Sequence, residues 1–215
     1  MERPAVTALD RLAGDIRACR ICRDTPAGPP LPHDPRPVLR VSATARLVIA
    51  GQAPGTRVHA SGIPFHDRSG DRLRDWMGVA TAQFYDAARI AIVPMGFCFP
   101  GLDAKGGDLP PRRECRAHWH DGLFASMPQV ETILAIGRHA QLYHSARLDR
   151  LYDAKAPIAD AVRASIGPTN AAPRLICLPH PSWRNTGWLK ANPWFETEVL
   201  PVVRAEVARL VNPAA

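Results

Sequence analysis

Four short apolar runs recur along the chain, at 46–50, 89–93, 132–137 and 174–178. Their apolar residues follow one another without alternating with polar ones, which is typical of strands buried on both faces of a parallel sheet. Apolar residues at helical spacing occur between the runs, so strands alternate with helices. We therefore predict a three-layer α/β/α sandwich with a central four-stranded, mostly parallel sheet, in a single domain over residues 1–215.

Capping residues mark the predicted helices. Thr7 can cap a first helix that ends near Cys19, and Ser69 can cap a helix closed by Gly78. Asn192 can cap the last helix, because a proline follows it at the first helical position. Other helices are predicted at 110–126, 140–143 and 155–165, and the segment between the first strand and Phe65 is predicted to be a loop.

The turn Gly51-Gln52-Ala53-Pro54-Gly55 directly follows the first predicted strand. In open α/β sheets, ligands bind outside the carboxyl ends of the strands. Glycine lets the backbone approach a ligand closely and direct its amides at it. The turn is therefore a candidate binding element, although an ordinary strand-to-helix turn would have the same composition.

Charge and composition indicate which kinds of partner and which compartment to expect. The formal net charge is +7 and the calculated pI is about 9.6, which favours a polyanionic partner. The sequence has no uninterrupted apolar run of about 18 residues, so no membrane span is expected. The first residues lack the layout of a secretory signal, so we expect a cytoplasmic protein, and we expect it to be a monomer.

Three motifs in this order resemble the uracil-DNA glycosylase superfamily. The turn 51–55 looks like the Gly-Glu-Ala-Pro-Gly motif of its iron–sulfur branch, and Gly62-Ile63-Pro64-Phe65 looks like that branch's Gly-x-Pro-Phe. His180-Pro181-Ser182 is similar to the second motif of the superfamily. The resemblance implies a DNA glycosylase that hydrolyses the N-glycosidic bond of uracil, or of a related deaminated or damaged base. The product would be an abasic site, in the first step of base excision repair.

The resemblance also implies roles for individual residues. A glycosylase holds a flipped base in a pocket, where Phe65 would be the stacking platform. His180 would stabilise the charge on the departing base. The predicted contacts of the base are Gly51, Ala53, Pro54, Gly55 and His59. As alternatives, Phe65 could be a core aromatic residue and His180 an ordinary surface or core histidine.

The loop after the histidine motif is predicted to contact DNA. In the superfamily this loop carries the wedge that enters the space left by the flipped base. Trp183 or Arg184 would be the wedge, and Ser182 and Asn185 would contact phosphates. The alternative is a solvated arginine beside a packing tryptophan.

This sequence departs from the family pattern at three positions. Ala53 stands where the most efficient members have a catalytic aspartate, and Gln52 stands where the iron–sulfur branch has glutamate. Glutamine can orient a water molecule but cannot take its proton. Pro94 replaces a base-reading asparagine. Asp67 is the nearest carboxylate that could act as the general base, or it could be a cap or turn residue.

Four cysteines, Cys19, Cys22, Cys98 and Cys115, have a spacing similar to the ligands of the iron–sulfur branch. Four thiolates can hold a [4Fe–4S] cluster or a tetrahedral zinc ion. Unrelated buried thiols are the alternative, and Cys177 is predicted to be core. Disulfide bonds are not expected in a cytosolic chain.

Two other functions are compatible with the sequence. The chain could capture uracil-containing or damaged DNA without turnover, since the catalytic Asp and the base-reading Asn are missing. It could also be a metal-cluster enzyme that acts on RNA. No lysine is placed as a Schiff-base nucleophile, so lyase activity is not expected.

Overall fold

A computed structural model describes residues 6–149 and 156–212. The strands are β1 (Leu47–Ala50), β2 (Ile90–Ile92), β3 (Thr132–Ile136) and β4 (Arg174–Leu178), in the order β2-β1-β3-β4. Each neighbouring pair is parallel. The four predicted strands are confirmed, and the sheet is parallel throughout.

Helices cover both faces of this sheet. In chain order they are α1 (Ala8–Arg17), α2 (Ile21–Asp24), α3 (Thr56–Ser61), α4 (Arg68–Met77), α5 (Thr81–Phe84), α6 (Arg113–Cys115), α7 (Asp121–Ala125), α8 (Arg138–Arg147), α9 (Ile158–Ser165), α10 (Thr186–Ala191) and α11 (Leu200–Val211). A π-helical turn, Arg116–His120, joins α6 to α7, and a second one, Phe195–Val199, precedes α11. A 3₁₀ turn, Trp183–Asn185, precedes α10.

The core lies in two layers, one on each side of the sheet. Leu47 and Ile49 of β1 pack in the layer that contains the buried residues of α4 and α11. Val48 and Ala50 point the other way, into the layer that contains residues of α1, α7 and α8. Successive strand residues face opposite sides, and all four are fully buried, so the run is apolar without alternation. The three-layer α/β/α architecture is thereby confirmed.

Two predicted helix caps are wrong, because other hydrogen bonds form at those positions. Asp67, not Ser69, caps α4, because its Oδ1 accepts a hydrogen bond from the Gly70 amide at 2.9 Å. The Asn192 Oδ1 accepts a hydrogen bond from the Trp194 indole N–H at 3.0 Å instead of capping the last helix, and its amide nitrogen donates to the carbonyl oxygen of Trp188 at 2.8 Å. Ser69 and Asn192 are both residue types that often cap helices, but the folded chain decides which hydrogen bonds their surroundings allow.

Other boundaries move by a few residues. The segment predicted as a loop after β1 contains α3, and the helix predicted from 110 begins at Arg113. The helix predicted at 140–143 is longer, as α8. The helix predicted at 155–165 is found as α9, and residue 155 lies outside the described residues. No helix in the described part of the chain is both long and apolar enough to cross a membrane.

Candidate active site

A pocket of about 520 Å³ lies at the carboxyl edge of the sheet. Its walls come from the turn after β1, the loop before α4, the segment 108–111 and the loop after β4. This volume is within the usual range for a small-molecule site. The predicted catalytic, base-contacting and DNA-contacting residues that line it are Gly51, Gln52, Ala53, Pro54, Gly55, Phe65, Asp67, His180, Ser182, Trp183, Arg184 and Asn185.

The turn 51–55 is held in place by the chain that leaves β2. The carbonyl oxygen of Gly51 accepts a hydrogen bond from the Met95 amide, and that of Gln52 accepts one from the Gly96 amide, both at 2.9 Å. These bonds extend the pairing of β1 with β2 beyond the strands themselves. The turn is therefore a fixed wall of the pocket.

The backbone of Phe65 is strained and tightly fixed. Its φ is 54°, in the left-handed region that non-glycine residues rarely adopt. A side chain at Gly70 would collide with the Phe65 carbonyl oxygen, and a Cβ at Gly51 would lie 3.2 Å from the tip of its ring. The ring meets Phe84 edge-on at 5.9 Å between centroids. Strain of this kind persists only where the surroundings impose it, and it concentrates at functional sites.

His180 is oriented by its own loop. The Ser182 amide donates to its Nδ1 at 3.2 Å, and the Asn185 side chain donates to its carbonyl oxygen at 2.7 Å. Because an amide N–H can only donate, Nδ1 is the acceptor, so the neutral ring carries its proton on Nε2. Burial lowers the pKa of His180, although Asp67 and Asp108 act in the opposite direction. The ring is thus a neutral N–H donor facing the pocket.

Asp67 both caps a helix and lines the pocket. One carboxylate oxygen caps α4, as described above, and the residue also lines the pocket. The cap fixes the carboxylate, which leaves its second oxygen to face other partners. The two interpretations made from the sequence, helix cap and pocket carboxylate, are therefore compatible.

Gln52 reaches from the end of β1 to the end of β3. Its side-chain nitrogen lies 2.6 Å from the position that a Cβ would occupy on Gly137, whose φ is 78°. Only glycine allows both this close approach and this backbone angle. Gly137 was not identified from the sequence, although a glycine directly after a strand was its one visible signal.

The loop after β4 has an exposed tip on a fixed base. Trp183 is 77% exposed, and the Arg184 guanidinium lies 5.9 Å from the centre of its ring. At the base, Arg72 of α4 donates to the Ser182 carbonyl oxygen at 3.1 Å. Asn185 is used inside the loop, on His180, so its amide is committed to holding the histidine. A large exposed aromatic side chain beside a pocket is a candidate contact surface.

A family model for the uracil DNA glycosylase superfamily matches residues 40–204. The chain belongs to this superfamily. The match spans the four strands, the loop after β4 and nearly all of the residues that line the pocket. Membership supports a function of the DNA glycosylase type, with DNA as the partner, and places the chain among DNA repair proteins.

His59 is the one predicted base contact that does not line the pocket described above. Its ring packs against His33, at 4.2 Å between centroids, and against Phe99 at 5.8 Å. Burial and the nearby His33 and Arg36 lower the pKa of His59. The residue lies in α3, whose helical turn carries the side chain away from the pocket wall; from the sequence this segment was predicted to be a loop.

The four cysteines come from three distant parts of the chain. Cys22, Cys98 and Cys115 are buried, and Cys19 is half-buried. The Phe97 amide donates to Cys115 Sγ at 3.4 Å. The neighbouring Cys115 thiol lowers the pKa of Cys22 to about 7, and interaction with Cys22 raises the pKa of Cys115.

These donors have the right chemistry for a metal but are not arranged as a metal centre. Within residues 6–149 and 156–212, no group of three or more His, Cys, Asp or Glu side chains is positioned to hold a metal ion. The family match also begins after Cys19 and Cys22, so it does not include the Cys-x-x-Cys pair. Cys177 lies buried in β4 as predicted.

Two ionisable residues of the pocket were not identified from the sequence. Asp108 and His139 both line it. His139 is at the start of α8, and burial lowers its pKa. Neither residue belongs to a recognisable motif, so no local pattern indicated them.

Proposed function

We propose that this protein is a monofunctional DNA glycosylase that hydrolyses the N-glycosidic bond of uracil or a related deaminated base in DNA. The observation that carries the proposal is the convergence of Phe65, His180 and Asp67 on one pocket. An aromatic platform, a neutral N–H donor and a carboxylate are the three elements that base capture, departure of the base and water attack require.

Base capture would be the task of the strained aromatic wall. Phe65 is fixed by its neighbours before any ligand arrives, so little ordering is needed when a base stacks on it. The loop after β4 would fill the gap that the flipped base leaves in the duplex, with Trp183 and Arg184 at its exposed tip. Substituting a stacking aromatic costs roughly 1–3 kcal/mol of binding per base.

Bond cleavage would use His180 and Asp67 on the two products of the reaction. As the N-glycosidic bond breaks, its electron pair moves to the base, where the Nε2–H of His180 donates a hydrogen bond. Water then attacks the sugar carbon and passes a proton to Asp67. Gln52 has no basic group and would orient that water. A base-to-sugar bond is broken and a water oxygen-to-sugar bond is formed.

A covalent mechanism has less support than hydrolysis. A Schiff base needs an amine at the sugar, and no lysine lies among the described residues that line the pocket. The abasic site would therefore be released without cleavage of the strand.

Capture of damaged DNA without turnover is the second candidate function. Ala53 lines the pocket and cannot accept a proton, and Asp67 has already committed one oxygen to its helix cap. If that commitment prevents Asp67 from taking a proton, the pocket still binds a flipped base. The two functions thus differ only in whether the bond breaks.

A strand-cleavage assay separates these two functions. A single-stranded oligonucleotide with one uracil is incubated with the protein, and half of the sample is then heated in alkali. Cleavage only after alkali is expected of a monofunctional glycosylase, and the same oligonucleotide with thymine in place of uracil is the control. A retarded band in a gel-shift experiment without cleavage after alkali would replace the glycosylase by the capture protein. Oligonucleotides with hypoxanthine or xanthine extend the test to other deaminated bases.

We further propose that Cys19, Cys22, Cys98 and Cys115 hold a [4Fe–4S] cluster, or zinc as the alternative. The support is chemical: Cys22 and Cys98 share a small buried cluster, and the pKa of the Cys22 thiol is lowered to about 7 by the neighbouring Cys115. Such a group would tie the N-terminal segment to the chain that follows β2, without a part in the bond-breaking step.

Metal analysis of anaerobically purified protein tests this proposal. Iron with broad visible absorption near 400 nm is expected for the cluster, and zinc without colour for the alternative. Cys98→Ser should abolish the metal content and lower the melting temperature, whereas the control Cys177→Ser should keep the metal. Absence of both metals in the wild-type protein would remove the proposal.

A further inference from the structure

The segment 101–109 forms a small hairpin beside the pocket. Leu102 pairs with Asp108 in an antiparallel bridge, and the Leu109 amide donates to the Gly101 carbonyl oxygen at 3.0 Å. The Asp103 carboxylate organises the turn, since its Oδ1 accepts the amides of residues 105 and 107, both at 2.8 Å. The hairpin therefore has a defined shape in the absence of any ligand.

This hairpin presents Asp108 to the pocket. Asp108 lines the cavity, and its Oδ2 lies 3.6 Å from the position that a Cβ would occupy on Gly55. The carboxylate therefore lies within van der Waals reach of the turn after β1. Its charge also acts on His180, so the carboxylate and the proposed leaving-group donor face the same cavity.

The other carboxylates of this region have protein partners. Asp103 accepts two backbone amides, and Asp67 accepts one. The Asp108 carboxylate has no hydrogen bond and no ion pair with any residue in 6–149 or 156–212. A carboxylate has four acceptor positions and no donor when it is ionised. Asp108 is exposed, so water occupies these acceptor positions in the free protein. A base that enters the pocket can replace that water with a ring N–H, which is the kind of donor that a carboxylate accepts.

We propose that Asp108 reads the extruded base by accepting a hydrogen bond from its ring N–H. This inference rests on the function proposed above. Pro94 and Ile92 line the same pocket and offer no side-chain hydrogen bond. Asp108 instead supplies the acceptor for the base edge.

The chemistry of deamination makes this contact selective. Uracil has an N–H at ring position N3, and hypoxanthine has one at N1. Their parents, cytosine and adenine, have a bare lone pair at the same ring nitrogen. A carboxylate attracts the N–H and repels the lone pair, so one acceptor distinguishes two deaminated bases from the normal bases that they replace.

Two methylated free bases test the contact without DNA or turnover. In 1-methyluracil the methyl group occupies the position of the sugar and the N3–H is intact, whereas in 3-methyluracil the N3–H is replaced. By ligand-observed NMR titration, the wild-type protein should bind 1-methyluracil about 10- to 100-fold more tightly, the usual range for a hydrogen bond to a charged group. Asp108→Ala should bind the two equally.

Two further variants separate base reading from a structural effect. Asp108→Asn should keep a preference for 1-methyluracil and should bind 1-methylcytosine more tightly than the wild type does, because an amide can donate to the ring lone pair. Asp160→Asn is the control, since it changes the net charge equally at an exposed position on α9. Circular dichroism and thermal unfolding confirm that each variant is folded.

The inference is overturned if the wild type binds the two methyluracils equally or not at all, or if Asp108→Ala keeps the preference. The strand-cleavage assay then separates the two proposals. Excision of uracil together with an unchanged preference in Asp108→Ala removes only the role of Asp108. Discrimination between the methyluracils without excision supports the base-reading role and removes the glycosylase.

Discussion

At the amino edge of the sheet Glu131 and Glu206 are both bound by arginines, whereas at the carboxyl edge Asp108 has no partner among the described residues and Asp67 uses one oxygen for a cap. Arg209 of α11 joins the two glutamates, at 2.8 Å to Glu131 and 2.9 Å to Glu206. The same sheet therefore carries compensated charges at one edge and uncompensated polar groups at the other.

At the amino edge of the sheet, the ion pairs hold secondary-structure elements together. Glu206 is buried and also accepts a hydrogen bond from the Thr132 hydroxyl, so the C-terminal helix is fastened to the start of β3. Arg46, directly before β1, binds the exposed side of Glu131. Exposed pairs contribute little on their own, so Glu206 is the member of this network that matters for stability.

The carboxyl edge of the sheet differs, because its polar groups do not hold elements together. His180 is neutral and oriented, Phe65 is strained, and Asp108 lacks a protein donor. Unsatisfied or strained groups lower stability and are retained where a ligand completes them. Substitutions at the amino edge should therefore change stability, and substitutions at the carboxyl edge should change chemistry.

The largest expected effect is on the rate of excision, from a substitution at the carboxyl edge of the sheet. His180→Ala should slow single-turnover excision of uracil on the order of 100- to 1,000-fold, because a donor to the departing base is lost. The free energy of unfolding should stay close to that of the wild type. His118→Ala is the control, since His118 is exposed and does not line the pocket. Excision at the wild-type rate on every deaminated base tried would remove His180 from the catalytic step.

Glu206→Gln should have the reverse profile. Loss of the charge leaves Arg209 and Arg174 without their buried partner, which should lower the free energy of unfolding by roughly 1–3 kcal/mol. Urea unfolding measures this, and excision per folded molecule should be unchanged. Glu198→Gln, at an exposed position, is the control. A large loss of excision with normal stability would contradict the division between the two edges.

The pH dependence of stability should separate the glutamates from a buried histidine. Burial lowers the pKa of His144 to about 3, and neither ring nitrogen has a hydrogen-bond partner among the described residues. The unfolded chain takes up this proton below about pH 6.5, so stability falls as the pH decreases from there. At about pH 5 the loss from this group is about 2 kcal/mol.

His144→Leu should remove that loss, as measured by urea unfolding at about pH 8 and pH 5. The pKa of Glu206 is lowered chiefly by its hydrogen bond to Arg209, so its contribution is present above its ordinary value of 4.5 and is lost only at lower pH. The two groups therefore act in different pH windows. Equal pH slopes for wild type and His144→Leu between pH 8 and pH 5 would show that His144 is not the source.

The smallest effect is expected on DNA affinity, from a substitution at the exposed tip of the loop after β4. Arg184→Ala should weaken binding to uracil-containing duplex a few-fold more than binding to the single strand, because only the duplex needs a wedge. If Arg184 also contacts a phosphate, the slope of log affinity against log salt should decrease by about one. Arg17→Ala on α1 is the control for the loss of one charge. Equal weakening on the two substrates would assign Arg184 to phosphate contact alone.

The sequence by itself determined the strands and the edge of the sheet at which the pocket lies. Runs such as 132–136 are apolar at successive positions because both faces of each strand are covered, and this leaves few alternatives to a buried parallel sheet. Thr7 and Gly78 mark helix ends through local chemistry, a capping box and a left-handed turn, and both are confirmed. Motifs at 51–55 and 180–182 meet because parallel strands share one carboxyl edge.

Only the tertiary structure decided which polar side chain finds which partner. Ser69 was predicted to cap α4, whereas Asp67 is the cap, and this fixes a carboxylate at the pocket wall. Asp108 reaches the pocket because a hairpin folds beside the turn after β1, a contact between segments about fifty residues apart that no local propensity encodes. His59 turns towards His33 once its segment becomes helical. Periodicity is a local property of the chain, whereas the partner of a polar group depends on which distant segment arrives beside it.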